Sequence, residues 1–412
     1  MAGIRDALRI AEFRSLLISY VINRAGDVFG ALALAVVVLS TTRSAIAIAA
    51  LFLATQFLPG LAGPFLVTRI GAIPSGRILP LCYLVEACLF LILAAVSRHV
   101  GVTLIVALAF LDGTLAFAAR SVTRATTASV LIPHDRLPEG KAAFNLALGA
   151  ATVAGPVLGG IVLALLGPGP ALVADGVSFL VAAVLVACTP GLRTRSDSDP
   201  NRTTRSRQMR ASVRYIAGHA TLRVLIFGEG IAFVFFYLVV PVTVVYATRS
   251  LHAGPAGYAA ILASWGAGAV IGSTVHIRLA RRVGHATILI STGAVAVAYV
   301  GTALAPTLLL ACAASVLGGI GNGTQWASVE TAVHKLVEER FRLRVAAILE
   351  SMAAVAPGVG IILGGALTTL FSPRAAYLMA GLGLVALISA AALSRVLATE
   401  PQRIAAADLG SA

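Results

Sequence analysis

Residues 44–67 read SAIAIAALFLATQFLPGLAGPFLV, an unbroken apolar stretch bounded by Arg43 and Arg69 that contains no charged side chain. At 1.5 Å per residue such a helix covers the roughly 30 Å of a bilayer's hydrocarbon core. The rest of the chain agrees with this stretch. Its 412 residues are 58% hydrophobic and only 12% charged, against about 25% charged in an ordinary soluble domain, and mean hydropathy is +0.94. A soluble globular enzyme is excluded. The sequence holds no P-loop, H-E-x-x-H, G-x-S-x-G or dinucleotide fingerprint, so neither ATP-driven transport by this chain nor a membrane enzyme has a motif to stand on. Cys82, Cys88, Cys188 and Cys312 sit singly in apolar stretches, which predicts small core residues rather than disulfides or a zinc site.

Outward from 44–67, apolar runs recur at 16–39, 77–96, 102–119, 142–166 and 171–189, then at 222–247, 256–279, 286–304, 307–329, 345–370 and 375–397. The expected fold is all-α and membrane-integral, with twelve spans in two six-helix halves. Gly167-Pro168-Gly169-Pro170 separates the fifth and sixth runs as a tight hairpin, because proline removes a helix donor. Between the halves lies a basic, polar segment with arginines at 193, 195, 202, 205, 207, 210 and 214. The domains read as 1–192, a cytoplasmic linker at 193–218, 219–400, and a cytoplasmic tail at 401–412. With the N-terminus inside, Arg43, Arg98, Arg249 and Arg374 are the basic residues of the outer loops and Arg24 lies within a span; the remainder of the 31 Lys and Arg faces the cytoplasm. Lysine and arginine are retained on that side, so the net charge of +14 reports topology in a multi-pass cell-membrane protein, not nucleic-acid binding. It also discounts Asn201-Arg-Thr203 as a glycosylation sequon, since that linker is cytoplasmic. The basic N-terminus reads as the approach to a retained first span, not as a signal peptide.

A constant offset places Gly155, Gly159, Gly160, Pro168 and Gly176 on Gly360, Gly364, Gly365, Pro373 and Gly381, and Arg69-Ile70-Gly71 has a counterpart in Arg282-Val283-Gly284. Parallel repeats of six spans are the architecture of secondary carriers. Three features carry a resemblance to the major facilitator superfamily over essentially the whole chain: Arg120 to Pro138 (RSVTRATTASVLIPHDRLP), Gly155-Pro156-Val-Leu-Gly159-Gly160, and the short basic loops after spans two and eight. The first is similar to the end of span four and the next loop in enterobactin exporters and multidrug efflux carriers, and the second resembles the span-five motif of drug/proton antiporters. The resemblance implies alternating access and export, with gating roles for Arg69, Gly71, Gly155, Pro156, Gly159, Gly160, Arg282 and Gly284. The chain departs from the family pattern where Thr68 and Arg281 stand before the loop arginines in place of the usual acid, and in having Arg24 in span one and Asp112 in span four.

Ionisable groups deep in a bilayer cost several kcal/mol or more and turn inward. Arg24 and Asp27 share a face of span one with Tyr20; a titrating proton or cation site and a static ion pair are both open readings. The resemblance implies that spans one, four, seven and ten line the cavity, which makes Asp112 a possible partner of Arg24. Glu229 shares a face with Phe233 and Phe236, and Asn322, Gln325 and Trp326 share another in span ten. Tyr20, Phe233, Phe236, Asn322, Gln325 and Trp326 read as substrate-cavity candidates, against simple helix packing, while Glu229 joins Asp27, Arg24, Asp112 and Glu86 as a proton-coupling candidate. Glu86 either completes the Arg24 cluster or faces lipid. Asp175, Glu330 and Glu350 are expected to cap helices or pair with loops, and His134, His219, His285 and His334 to be solvated.

Asp27, Glu86, Asp112 and Glu229 against Arg24 make an excess of buried acid, which favours protons and cationic or neutral amphipathic substrates. The expected function is proton-driven export of hydrophobic or cationic small molecules. Export of one dedicated natural product, siderophore or lipid-like molecule stands second, import by symport below it, and a membrane enzyme or receptor last. The expected partners are a small-molecule substrate, protons and the lipid bilayer, with no nucleic acid, cofactor or metal, and a monomer suffices.

Overall fold

The structure is a computed structural model and describes residues 2–70, 73–96, 101–192, 216, 218–279, 285–337 and 339–393. All regular structure among them is helical. Eleven described helices are long and apolar enough to cross a bilayer. In chain order, spans one to six are Ala11–Thr42, Ala45–Ile70, Ser75–Val96, Val102–His134, Leu137–Leu166 and Pro168–Ala187. Spans seven to ten are Thr221–Ser250, Gly254–His276, Ala286–Leu304 and Leu308–Val333, and span twelve is Pro373–Ala392. Span eleven is the helix Glu339–Leu370, of which Val355–Leu370 is the apolar part. The first turns of that helix carry Glu339, Arg340, Arg342 and Arg344, and this charge dilutes its hydropathy.

Large apolar side chains stay exposed on these helices, among them Phe65, Leu165, Leu309 and Leu370. In water such a surface would drive aggregation; next to lipid tails it costs nothing. Cys82 is buried, but Cys88 and Cys188 are exposed, which corrects the expectation that every cysteine is a core residue. An apolar run cannot tell its inner face from its outer one.

Span four ends later than the hydropathy predicts. The α-helix runs from Val102 to Leu131 and a 3-10 turn follows at Ile132–His134, so Arg120 and Arg124 lie on the helix, not in a loop. The hydroxyls that hide this continuation from a hydropathy reading bond back to helix carbonyls: Ser121 to Phe117 at 2.9 Å, Thr126 to Val122 at 2.8 Å and Ser129 to Thr126 at 2.8 Å. Asp135 then takes a left-handed conformation (φ 53°). Arg136 beside it reaches Glu139 at 3.1 Å and Asp6 at 3.8 Å, joining the short N-terminal helix Ala2–Ala7 to the foot of span five. At the hairpin Gly167 has φ +85°, and Pro168 opens span six.

The chain packs as two units. The first contains residues 1–199 and 241–266, the second 200–240 and 267–412. Pro241 falls inside the seventh helix, where it removes one ladder hydrogen bond, and the grouping changes at that residue. In the first unit span six packs on spans one and three, span five on span one, and span two on span four. In the second, span nine packs on spans ten and twelve. Arg374 donates to the Ala303 carbonyl at 2.8 Å, a cation at the C-terminal end of span nine, where the helix dipole favours it.

Candidate functional site

The first unit buries charge. Arg24 Nη1 lies 2.6 Å from Asp27 Oδ2 on span one, an i,i+3 pair, and Tyr20 one turn earlier packs edge-on against Phe144 of span five with ring centroids 4.9 Å apart. Glu86 on span three has 0% exposure, and neither of its carboxylate oxygens has a hydrogen-bond partner among the described residues. Asp112 Oδ1 on span four is buried and without one as well. Glu86 lies within electrostatic reach of Asp112, Asp27, Arg120 and Asp175, and Arg120 within reach of Asp27, Arg24, Glu86 and Asp112. Glu86 therefore belongs with the Arg24 cluster and does not face lipid. Tyr83, one turn before Glu86, lies 3.4 Å from Thr123 of span four, hydroxyl to hydroxyl, and ties the two acid-bearing helices together.

Asp175 was expected to cap a helix or pair with a loop; instead it is interior to span six, with 0% exposure. The Ser178 hydroxyl donates to its Oδ1 at 3.3 Å. Its carboxylate fits a notch on span one cut by Gly26 and Gly30: a Cβ on Gly26 would stand 2.5 Å from Asp175 Oδ1, and one on Gly30 would stand 2.1 Å from Oδ2. Only glycine permits that approach. Asp175 and Arg120 are the two members of the cluster that sequence reasoning missed. A helical reading of span six could have found Asp175, since it shares a buried face with Phe179, Ala182 and Val186. Arg120 was hidden by the misplaced end of span four.

The span-five motif lies against span one. A Cβ on Gly155 would meet Val28 at 3.0 Å, one on Gly159 would meet Phe29 at 2.7 Å, and one on Gly160 would come within 2.2 Å of the Ala259 Cβ. Pro156 is buried inside the same helix. Arg69 is exposed in the last turn of the helix that ends span two. Gly71, Arg282 and Gly284 lie outside the described residues, as do the side chains of Glu330 and Glu350.

The second unit holds one acid with an amide and aromatic rings. Glu229 of span seven is 3% exposed and Gln325 of span ten 1%; Gln325 Nε2 donates to Glu229 Oε2. Phe233, one turn on, packs against Trp326 at 5.4 Å, Phe236 at 6.4 Å and Tyr237 at 6.5 Å between ring centroids. The two faces read from sequence thus meet each other. Asn322 is half-buried. Spans eight and ten approach closely enough for Thr324 Oγ1 to donate to the Gly272 carbonyl at 3.0 Å. One turn further along, His276 Nδ1 lies 3.1 Å from Ser328 Oγ and Nε2 3.3 Å from Thr331 Oγ1. This buried histidine was also missed, because in sequence it stands at the end of an apolar run beside a basic loop.

Two groups of buried polar side chains lie on an all-helical, multi-pass scaffold, and the sequence profile of the transmembrane secretion effectors matches residues 5–409. The chain belongs to this family of the major facilitator superfamily. As a transmembrane secretion effector it is a secondary transporter of the membrane. Solved structures share its fold at low identity. A point mutant of the nucleoside transporter NupG superposes with a TM-score of 0.71 at 12% identity, covering 92% of this chain and 98% of its own. A bacterial homologue of the human lysosomal transporter Spinster, inward-facing and unoccupied, gives 0.67 at 15% identity over 94% and 96%. A bacterial homologue of the iron transporter ferroportin, in an inward-facing state, gives 0.66 at 16% identity over 93% and 99%. No curated protein matches the chain significantly.

Proposed function

We propose that this secondary transporter exports hydrophobic or cationic small molecules from the cell in exchange for protons, by alternating access. The observation that carries the reading is the acid cluster of the first unit. Asp27, Glu86, Asp112 and Asp175 lie within mutual electrostatic reach with only Arg24 and Arg120 to offset them, and both Glu86 oxygens are unpartnered among the described residues. A fully ionised cluster of this kind would leave buried negative charge uncompensated, at a cost of several kcal/mol. Uptake of a proton by one of the acids lowers that cost, and its release restores the charge. Asp27, bonded to Arg24 and with its side chain 17% exposed, is the group we assign to proton exchange. The acid and aromatic rings around Glu229, with Asn322, Gln325 and Trp326, suit a cation with apolar bulk.

The basic linker and outer-loop arginines support cytoplasmic termini in the cell membrane, and one chain holds both sets of polar groups, so a monomer suffices. A cell strain lacking its own efflux pumps, with and without the protein, tests the reading through accumulation of a lipophilic cationic dye. The expected result is lower accumulation that a proton ionophore restores to the control level. Equal accumulation in the two strains, with the protein shown to be in the membrane, would reject broad cation export in favour of a single dedicated substrate.

A further inference from the structure

Beside the Glu229–Gln325 pair the second unit contains a half-open cleft enclosing about 550 Å³ of empty space, its mouth included. Four helices build it: Val224 and Gly228 of span seven, Ile288 of span nine, Gln325 of span ten and Leu387 of span twelve are among its walls. Thr292 also contributes, but its hydroxyl is spent on the Ile288 carbonyl at 2.8 Å. That leaves Glu229 and Gln325 as the polar groups of an otherwise apolar lining.

Both present an unfilled acceptor. Glu229 Oε1 and Gln325 Oε1 are buried and have no partner among the described residues, while the single hydrogen bond between the two side chains uses the other carboxylate oxygen and the amide nitrogen. No basic side chain among the described residues pairs with Glu229. An apolar cleft lined by two side chains that keep a buried, unfilled acceptor, one of them an acid, is complementary to one kind of molecule: an alkyl chain or ring system bearing a group that donates hydrogen bonds and carries positive charge. A neutral alcohol fills only one acceptor with its single proton and leaves the carboxylate's charge unmatched. A primary ammonium has three donors and the right sign.

We infer that this cleft is a binding site for the protonated head and apolar tail of an alkylamine-like amphiphile, with Glu229 and Gln325 holding the ammonium. This extends the export reading to a specific place for a cationic amphiphile. It does not depend on the acid cluster, because every lining residue belongs to the second unit.

Gly228 supplies the decisive variant. It lines the cleft, and a Cβ built on it meets nothing within 4 Å, so the side chain of Gly228→Leu starts in open space, takes up cleft volume and gains helix propensity. The test uses purified full-length protein in lipid nanodiscs with a diazirine-bearing dodecylamine, photolysed, and the labelled peptides mapped by mass spectrometry. A diazirine-bearing dodecanol serves as the neutral comparison. The expected result is saturable labelling at Ile288 and Leu387 by the amine, about tenfold weaker at equal concentration for Glu229→Gln, as loss of a charge-assisted hydrogen bond implies, and absent for Gly228→Leu. Equal labelling by amine and alcohol, or amine labelling that survives Gly228→Leu, would overturn the assignment. Asp27→Asn separates this inference from proton exchange: the site assignment predicts unchanged labelling in that variant even if it no longer transports.

Discussion

The two units of this transporter treat polar groups in opposite ways. The first brings four carboxylates and two arginines from spans one, three, four and six into one buried group, with glycines at 26 and 30 cut away to admit one of the acids. The second sets a buried acid, Glu229, against an amide, beside four aromatic rings and an apolar cleft. The two units, both helical, thus differ in how they hold charge. A cluster of like charges can take up and release a proton; an acid paired with an amide in an aromatic setting is better suited to recognising a ligand. The difference argues for a division of labour, with energy coupling in the first unit and recognition in the second.

The largest effect that would break this division is expected from the first unit. Asp27→Asn should reduce gradient-driven export to the background of cells without the protein while leaving ligand binding intact, checked by dye efflux alongside equilibrium binding. Loss of binding as well would place recognition in the first unit too. Next in size, Gly30→Leu puts side-chain atoms where the Asp175 carboxylate and the Phe90 ring stand. Overpacking of this sort costs roughly 1–3 kcal/mol, so the purified variant should melt several degrees lower in detergent. The equivalent change at a glycine whose Cβ meets open space, Gly228→Leu, should not lower the melting temperature. In the second unit, Phe233→Ala removes the ring at the centre of the aromatic group. Since such ring contacts contribute about 0.5–1.5 kcal/mol, KM for a cationic substrate should rise several-fold with little change in the proton dependence. The smallest effect on transport is expected at the periphery: Arg374→Ala, which loses the hydrogen bond to the Ala303 carbonyl at the end of span nine, should destabilise the fold modestly and leave transport rates nearly unaltered.

Much of the frame was legible from residues alone. Apolar runs located the helices because a bilayer demands them. The spacing of Arg24 and Asp27, and of Glu229 with Phe233, put those side chains on common faces without any tertiary information. What the sequence could not supply was which helices meet. Asp175 looks like a residue near the start of an apolar run, and only the notch formed by Gly26 and Gly30 on a helix far away in the chain gives it a place. Arg120 was hidden by serines and threonines that lower hydropathy yet bond to their own helix. His276 gains meaning only beside Ser328 and Thr331, and the grouping of 241–266 with the first unit leaves no mark on composition. In each case the missing information is a lateral contact between helices, which periodicity within one helix does not encode.

The central claim, that the buried acids of the first unit exchange protons during transport, is tested most directly with the protein reconstituted in liposomes containing a pH-sensitive dye. A cationic substrate is added on one side in the absence of any imposed gradient. The account predicts substrate-driven proton movement in the opposite direction, absent in Asp27→Asn although that variant still binds substrate. Substrate transport with no accompanying proton movement, or proton movement that persists unchanged in Asp27→Asn, would contradict it.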